Sequence, residues 1–170
     1  MSVAEILLPE LVNEMATTRA LLERVPEEHA SWKPHPKSYS LGALAMHVAT
    51  IPGLGALILE REEVEMDPDS SPIPPFTTTA TLLETFDGVV SQLRGAIEKA
   101  TAESMQVVWS LKGGGKTFIS LPRAAAYRTV CLNHLIHHRG QLSVYLRLLN
   151  VPLPSIYGPT ADTQAEVQHA

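Results

Sequence analysis

Three of the seven histidines in this chain, at positions 134, 137 and 138, lie in one apolar segment with the pattern of a helix. In a helix of about 3.6 residues per turn, His134 and His138 share one face, whereas His137 points away from both. Two imidazoles at this spacing can bind a single metal ion. Metal binding is therefore the first chemistry that the sequence suggests.

A third histidine, His47, lies in a separate apolar segment. In both segments the inward-facing residues recur in steps of three and four. They are Leu44, His47, Ile51, Leu54 and Ile58 in the first segment, and Tyr127, Cys131, His134, His138, Leu142, Tyr145 and Leu149 in the second. Hydrogen bonds to carbonyl or carboxylate oxygens would explain an isolated buried pair. Three histidines on the inward faces of two helices favour a shared metal, because a core excludes such groups unless they are partnered. We predict that His47, His134 and His138 are the metal ligands.

Two better-known motifs are excluded. A zincin requires glutamate directly after the first histidine, and this position is Leu135. The segment Gly113–Thr117 resembles the end of a phosphate-binding loop, but Ser110 stands where the opening glycine is required, and Pro122 follows too soon for the expected helix. We interpret the glycines as the turn of a short β-hairpin.

Composition predicts one globular domain spanning residues 1–170. Of the 170 residues, 45% are hydrophobic and 18% are charged, with a net charge of −5. Because basic residues are few and scattered, we expect no nucleic-acid partner. The single cysteine, Cys131, cannot form an internal disulfide, and Glu5 lies where a secretion signal would be basic. Both observations favour the cytoplasm.

The apolar stretch Leu41–Leu59 lacks charged residues and is nearly long enough to cross a bilayer. His47, Pro52 and glycines dilute it. We therefore expect a buried helix and no membrane association.

The patterning predicts an all-α fold, a four-helix bundle with a long crossover loop and a short hairpin before the last long helix. We expect Arg139 and Arg147 at the surface or at a subunit interface. The first predicted helix runs from Ser2 or Leu8 to Val25, and the second from the cap Ser40 to about Glu63, followed by an irregular crossover over Met66–Thr79. The third helix is capped by Thr81 and ends near Ala102, and the strands Val107–Leu111 and Thr117–Ser120 follow it. The last helix runs from Pro122 to Asn150, and residues 151–170 form an extended tail.

Several segments, in this order, resemble the DinB family of DinB/YfiT-like metal-binding bundles. They are Trp32-Lys33-Pro34, Ser40-Leu41-Gly42 with His47, Asn133–Arg147 (NHLIHHRGQLSVYLR) and Pro152–Asp162 (PLPSIYGPTAD). The resemblance implies a divalent metal, often nickel or zinc, on one histidine of the second helix and the paired histidines of the last long helix. These match the residues that spacing selected. It also implies a homodimer.

Three functions remain open, and the sequence assigns no catalytic residue. Thiol-dependent relatives suggest an S-transferase, in which the metal binds the sulfur of a small thiol that attacks a small-molecule substrate. A hydrolase would instead use the metal to activate water, with Tyr127, Tyr145 or Asp162 as the acid or base. A third possibility is a stress or scaffold protein whose metal only joins two helices. Cys131 could serve as a fourth ligand or a redox partner, but lone core cysteines are mostly small hydrophobic side chains, and we expect that role here.

Overall fold

The computed structural model of the protein describes residues 1–67, 69 and 73–167. The chain is mostly helical and carries a small three-stranded sheet. The helices are α1 (Val3–Leu22), α2 (Leu41–Glu60), α3 (Thr79–Lys99), the continuous run α4 made of Arg123–Ala126, Tyr127–Asn133 and His134–Leu148, and α5 (Ala161–Val167), with single 3₁₀ turns at Glu27–His29 and Ser104–Gln106. The strands are β1 (Glu63–Met66), β2 (Val108–Gly113) and β3 (Lys116–Pro122).

Hydroxyl side chains define where the first three helices begin. At the start of α1, the Ser2 hydroxyl accepts from the Glu5 N–H and the Glu5 carboxylate accepts from the Ser2 N–H, forming a capping box. The Ser40 hydroxyl caps α2, as predicted. The predicted cap of α3 was wrong, because Thr78 accepts from the Thr81 N–H at 3.1 Å. Thr81 is the third residue of that helix, so α3 begins one turn earlier than its sequence suggested.

The small sheet has one strand more than predicted. Strands β2 and β3 are antiparallel on either side of Gly114 and Gly115, whose φ angles of 55° and 74° favour glycine. Strand β1 adds to β2 in parallel. Because Glu63–Met66 pairs with β2, α2 ends at Glu60 and not near Glu63.

The segment after α4 is only partly extended. Helix α5 interrupts the tail predicted over 151–170, because the Thr160 hydroxyl accepts from the Thr163 N–H and Asp162 places an acid in the first turn. Positions 68, 70–72 and 168–170 of the predicted crossover and tail lie outside the described residues.

Helix α2 lies at the centre of the packing, in contact with both α3 and α4, while α1 packs on α3 and also touches α4. In the described part of the chain, α2 is the single helix long and apolar enough to span a bilayer, but 67% of its most apolar window is buried inside the protein. Its apolar character is therefore accounted for by the core.

Gly55 lets α2 approach α4. A Cβ atom at this position would lie 2.6 Å from Cys131 Sγ and 3.2 Å from Leu93 Cδ1. We expect Gly55→Ala to lower the free energy of unfolding by about 1–3 kcal/mol, because the packed core must move to admit the methyl group. Urea unfolding of the two proteins measures this difference.

Gly140→Ala is the matched control, since a Cβ there would meet nothing within 4 Å. Alanine in a helix should then raise stability by roughly 0.5–1 kcal/mol relative to glycine. Effects of the same sign at both positions would contradict the close approach at Gly55.

Candidate metal centre

The three histidines selected from the sequence meet between α2 and α4. His47 Nε2 lies 3.2 Å from His134 Nε2, which lies 2.9 Å from His138 Nε2. One ligand atom from each ring falls within 4.8 Å of the other two. Nitrogens about 2.05 Å from a tetrahedral metal lie about 3.3 Å apart, so the observed spacing is close to that of a common metal site.

Two of the rings are oriented by hydrogen bonds from their other nitrogen. His134 Nδ1 donates to the Val130 carbonyl at 3.3 Å, and His138 Nδ1 donates to Gln141 Oε1 at 2.7 Å. These bonds select the tautomer in which Nε2 carries a lone pair. Two lone pairs 2.9 Å apart repel each other unless a cation lies between them. The chemistry of the donor set therefore fits a metal ion.

The helix immediately before His134 is wider than an α-helix. Residues Tyr127–Asn133 have π geometry, and at the end of this segment the His134 N–H makes a tighter bond, to the Cys131 carbonyl three residues earlier. In an α-helix that N–H would bond to the Val130 carbonyl, which here accepts from the His134 side chain. Such segments are uncommon and are frequent at functional sites. Nothing in the spacing of the sequence predicted this one.

The wide turn also shifts the inward face of α4. The fully buried line after it consists of Leu135, Arg139, Leu142 and Leu146. His134 and His138 lie beside this line and are only half-buried. Leu142 is buried as predicted, but at His134, His138 and Tyr145 the buried position is the next residue along the chain. The histidines therefore lie at the edge of the core, where a ligand can reach them.

Burial weakens the affinity of the imidazoles for protons. The pKa of His47 is lowered to about 4, mainly by burial and additionally by the neighbouring His138 and His134. Burial likewise lowers the pKa of His134 and of His138. Neutral imidazoles are the form that binds metals, so near neutral pH all three are ready to act as ligands.

A pocket of about 670 Å³ opens beside two of the histidines. Its walls come from α2, from the strands β1 and β2, and from the segment before α3. The lining residues are Tyr39, His47, Thr50, Ile51, Gly53, Leu54, Leu57, Val64, Met66, Ile73, Leu111 and His134. A molecule of moderate size in this pocket would therefore touch the imidazoles directly.

Comparison with known proteins identifies the family of the chain. The sequence profile of the DinB superfamily matches residues 10–142. The chain belongs to the DinB superfamily. Two solved structures of DinB-like proteins share its fold at 22% sequence identity. The Bacillus subtilis protein has a TM-score of 0.65, covering 88% of this chain and 96% of its own, and the Bacillus cereus protein has 0.66, covering 88% and 95%. Among curated proteins, none matches the sequence significantly.

Other residues considered for the site of this DinB-superfamily protein lie elsewhere. Cys131 is buried, its Sγ is 3.9 Å from the Ile51 carbonyl oxygen, and burial raises the pKa of its thiol to about 12, as for a small hydrophobic side chain. His137 lies off the face shared by His134 and His138, as predicted; it is exposed, and its ring centroid is 4.8 Å from that of His138. Neither belongs to the three-histidine cluster found among the described residues.

The acid–base candidates also lie outside the pocket lining. The Tyr127 side chain is 2% exposed, and burial raises the pKa of its hydroxyl. Tyr145 packs edge-on against Trp32, with ring centroids 5.7 Å apart. Asp162 accepts from Arg147 and from the Leu153 N–H. None of the three is in position to assist chemistry at the imidazoles.

The expectation that Arg139 lies at the surface was wrong. Its side chain is 1% exposed, and its guanidinium pairs with the Glu14 carboxylate at 2.7 Å. It also donates to the Thr18 hydroxyl at 3.1 Å and to the Tyr157 hydroxyl at 2.7 Å, and Tyr157 in turn donates to Glu14 at 2.9 Å. A pair of opposite charges with these additional partners can be buried. Arg147, by contrast, is exposed as predicted, in its ion pair with Asp162.

The imidazole pKa values make stability depend on pH when no metal is bound. An unfolded histidine has a pKa near 6.5. Between about pH 6.5 and about pH 4, His47 binds a proton in the unfolded chain but not in the folded one. The free energy of unfolding should therefore fall as the pH is lowered through this window, with the same sign from His134 and His138.

Urea unfolding of chelator-treated protein at several pH values in this window measures the effect. His47→Gln should show a shallower dependence, because one of the three groups no longer titrates. A metal-free protein whose stability rises on acidification would contradict these directions.

Proposed function

We propose that this DinB-superfamily protein binds one divalent metal ion, nickel or zinc, through His47, His134 and His138, and uses it as an S-transferase with a small thiol. The observation that carries the proposal is the 2.9 Å distance between the Nε2 atoms of His134 and His138, whose rings are oriented by hydrogen bonds. The Nε2 atom of His47 lies 3.2 Å from that of His134. Without a cation this arrangement is repulsive; with one it is a ligand set.

A cation held by three neutral imidazoles keeps its full charge and can lower the pKa of a thiol brought to it. The chain supplies the remaining functions. The Val130 carbonyl and Gln141 orient two imidazoles, and the pocket holds the electrophile away from water. In the transfer, the thiol sulfur forms a bond to carbon, the leaving group departs with its electron pair, and the thiol proton passes to solvent.

A hydrolase is the alternative that the pocket favours less. Hydrolysis needs a general acid or base near the substrate, and no Asp, Glu, Lys or Arg side chain belongs to the pocket lining among the described residues. A thiol brings its own nucleophile and places no such demand on the lining. In a non-catalytic scaffold, the ion would only join α2 to α4.

One paired measurement separates the three functions. Protein purified without a nickel column is assayed for thiol consumption with 1-chloro-2,4-dinitrobenzene and glutathione, bacillithiol or mycothiol, and its melting temperature is recorded with and without chelator. The transferase predicts thiol-dependent turnover that chelation removes and metal restores. Thiol-independent hydrolysis that requires metal would favour the hydrolase. A large fall in melting temperature with no turnover would favour the scaffold.

The setting of the activity is also part of the proposal. We propose a cytoplasmic homodimer that acts on small molecules without a nucleic-acid or membrane partner. An exposed stripe on α4 supports the dimer, since Val144 and Leu148 are each 56% exposed and lie on the same side as His137 and Gly140. Sedimentation analysis of the protein and of Val144→Asp tests this assembly.

Gln141 should matter to metal binding although it is not a ligand. Its side-chain oxygen accepts from His138 Nδ1 at 2.7 Å. Gln141→Ala removes this acceptor, and loss of such an outer partner typically lowers metal affinity about 10- to 100-fold. Competition with a chromogenic chelator measures the change. Ser143→Ala, two residues further along the helix, removes a hydroxyl that donates to the Gly140 carbonyl; it is the control and should leave the affinity unchanged.

A further inference from the structure

The pocket beside the histidines is built from apolar side chains of three elements. Leu54 and Leu57 project from α2, Val64 and Met66 from β1, and Leu111 from β2. Its volume of about 670 Å³ is within the range of roughly 300–1,000 Å³ typical of small-molecule sites. Such a lining favours apolar ligands over charged ones.

Strand β1 turns its charges away from this pocket. Successive side chains of a strand point to opposite sides, and in the sequence Glu-Val-Glu-Met only Val64 and Met66 belong to the lining. Glu63 instead forms an ion pair with Lys112 of β2. The acidic strand therefore contributes an apolar wall.

The polar groups of the lining are few and partly engaged. The Thr50 hydroxyl donates to the Met46 and His47 carbonyls at 2.9 and 3.1 Å, within its own helix. Besides Tyr39, the remaining polar side chains are His47 and His134, whose Nε2 atoms are directed at each other. In the lining formed by the described residues, no Lys or Arg is available to pair with an anion and no Asp or Glu to pair with a cation.

We propose that the molecule bound in this pocket is uncharged and mainly apolar, with any polar group directed at the imidazoles. Away from the histidines, a charged group would lose its hydration here without gaining a partner. The proposal rests on the proposed function and narrows its substrate to neutral hydrophobic electrophiles. The charged parts of a thiol partner would then remain outside the apolar walls.

A matched pair of fluorescent probes tests whether the pocket prefers an uncharged molecule, and the test requires neither bound metal nor turnover. N-phenyl-1-naphthylamine is neutral, and 1-anilinonaphthalene-8-sulfonate is the same ring system with one negative charge. In titrations of chelator-treated protein, the neutral probe should saturate one site and bind at least about tenfold more tightly than the anion, since burying an unpaired charge opposes binding.

Two variants locate the probe. Leu54→Asp places a charge in the wall, and Met66→Asp does so at a side chain that is 41% exposed, so that folding is preserved in at least one variant. Each folded variant should weaken the neutral probe at least about tenfold. Val12→Asp, an exposed change on α1 outside the pocket lining, should not.

The inference would be overturned if both probes bound with equal affinity, or if the affinity of the neutral probe were unchanged by Leu54→Asp and Met66→Asp. So would absence of neutral-probe binding. Metal analysis of the same proteins before chelator treatment is independent of these results, so a failed metal site and a failed pocket assignment are distinguishable.

Discussion

Replacing His47 by alanine is expected to abolish metal retention. The two remaining imidazoles both come from one helix, so the ion would lose its single contact to α2 along with a third of its ligands. Loss of an outer-shell partner already costs about 10- to 100-fold in affinity, and loss of a direct ligand should exceed that range. Elemental analysis of protein purified without a nickel column gives the bound metal per chain.

His137→Ala is the matched control, because it removes a histidine from the same segment on an exposed position outside the cluster. It should retain most of the metal. Equal losses from His47→Ala and His137→Ala would mean that the metal is held by a different set of residues, and the S-transferase proposal would lose its basis.

The second large effect is expected at Arg139. Arg139→Met keeps much of the side-chain volume but leaves the Glu14 carboxylate, 12% exposed, without its counter-charge. Breaking a buried pair in this way typically costs about 3–5 kcal/mol. Chemical unfolding at neutral pH measures the loss. Arg147→Met, which breaks the exposed pair with Asp162, should cost about 1 kcal/mol or less.

A double substitution separates charge from packing. Replacing the pair together, as Glu14→Leu with Arg139→Met, removes both charges and should recover a large part of the lost stability. If Arg139→Met is no more harmful than Arg147→Met, the buried guanidinium is not a major contributor to the stability of the fold.

The histidine cluster could be predicted from sequence because it depends on short-range regularity. His134 and His138 are four residues apart, and His47 lies on an apolar repeat of its own, so each helix face could be inferred separately. That these faces meet is a tertiary fact, and the structure supplies it through the 3.2 Å approach of His47 to His134.

Features that depend on long-range partners could not be predicted in this way. Arg139 looks like a surface residue until Glu14 of a distant helix is placed beside it. Strand β1 is an alternating, acidic run of four residues whose pairing with β2 supplies the reason for its conformation. The pocket wall depends on that pairing, so it could not be predicted from the sequence either.

The π segment Tyr127–Asn133 has a consequence for how this chain can change over generations. A wide turn amounts to one residue more than a regular α-helix needs, and each residue of an α-helix rotates the rest of the helix by about 100°. Because the wide turn absorbs this extra residue, deleting one residue inside it would restore regular winding and leave the His134–His138 pair facing His47. The same deletion between His134 and His138 would turn one imidazole by about 100° relative to the other and destroy the site. A change in length can therefore be absorbed in the wide turn, but not one turn later, between the two imidazoles.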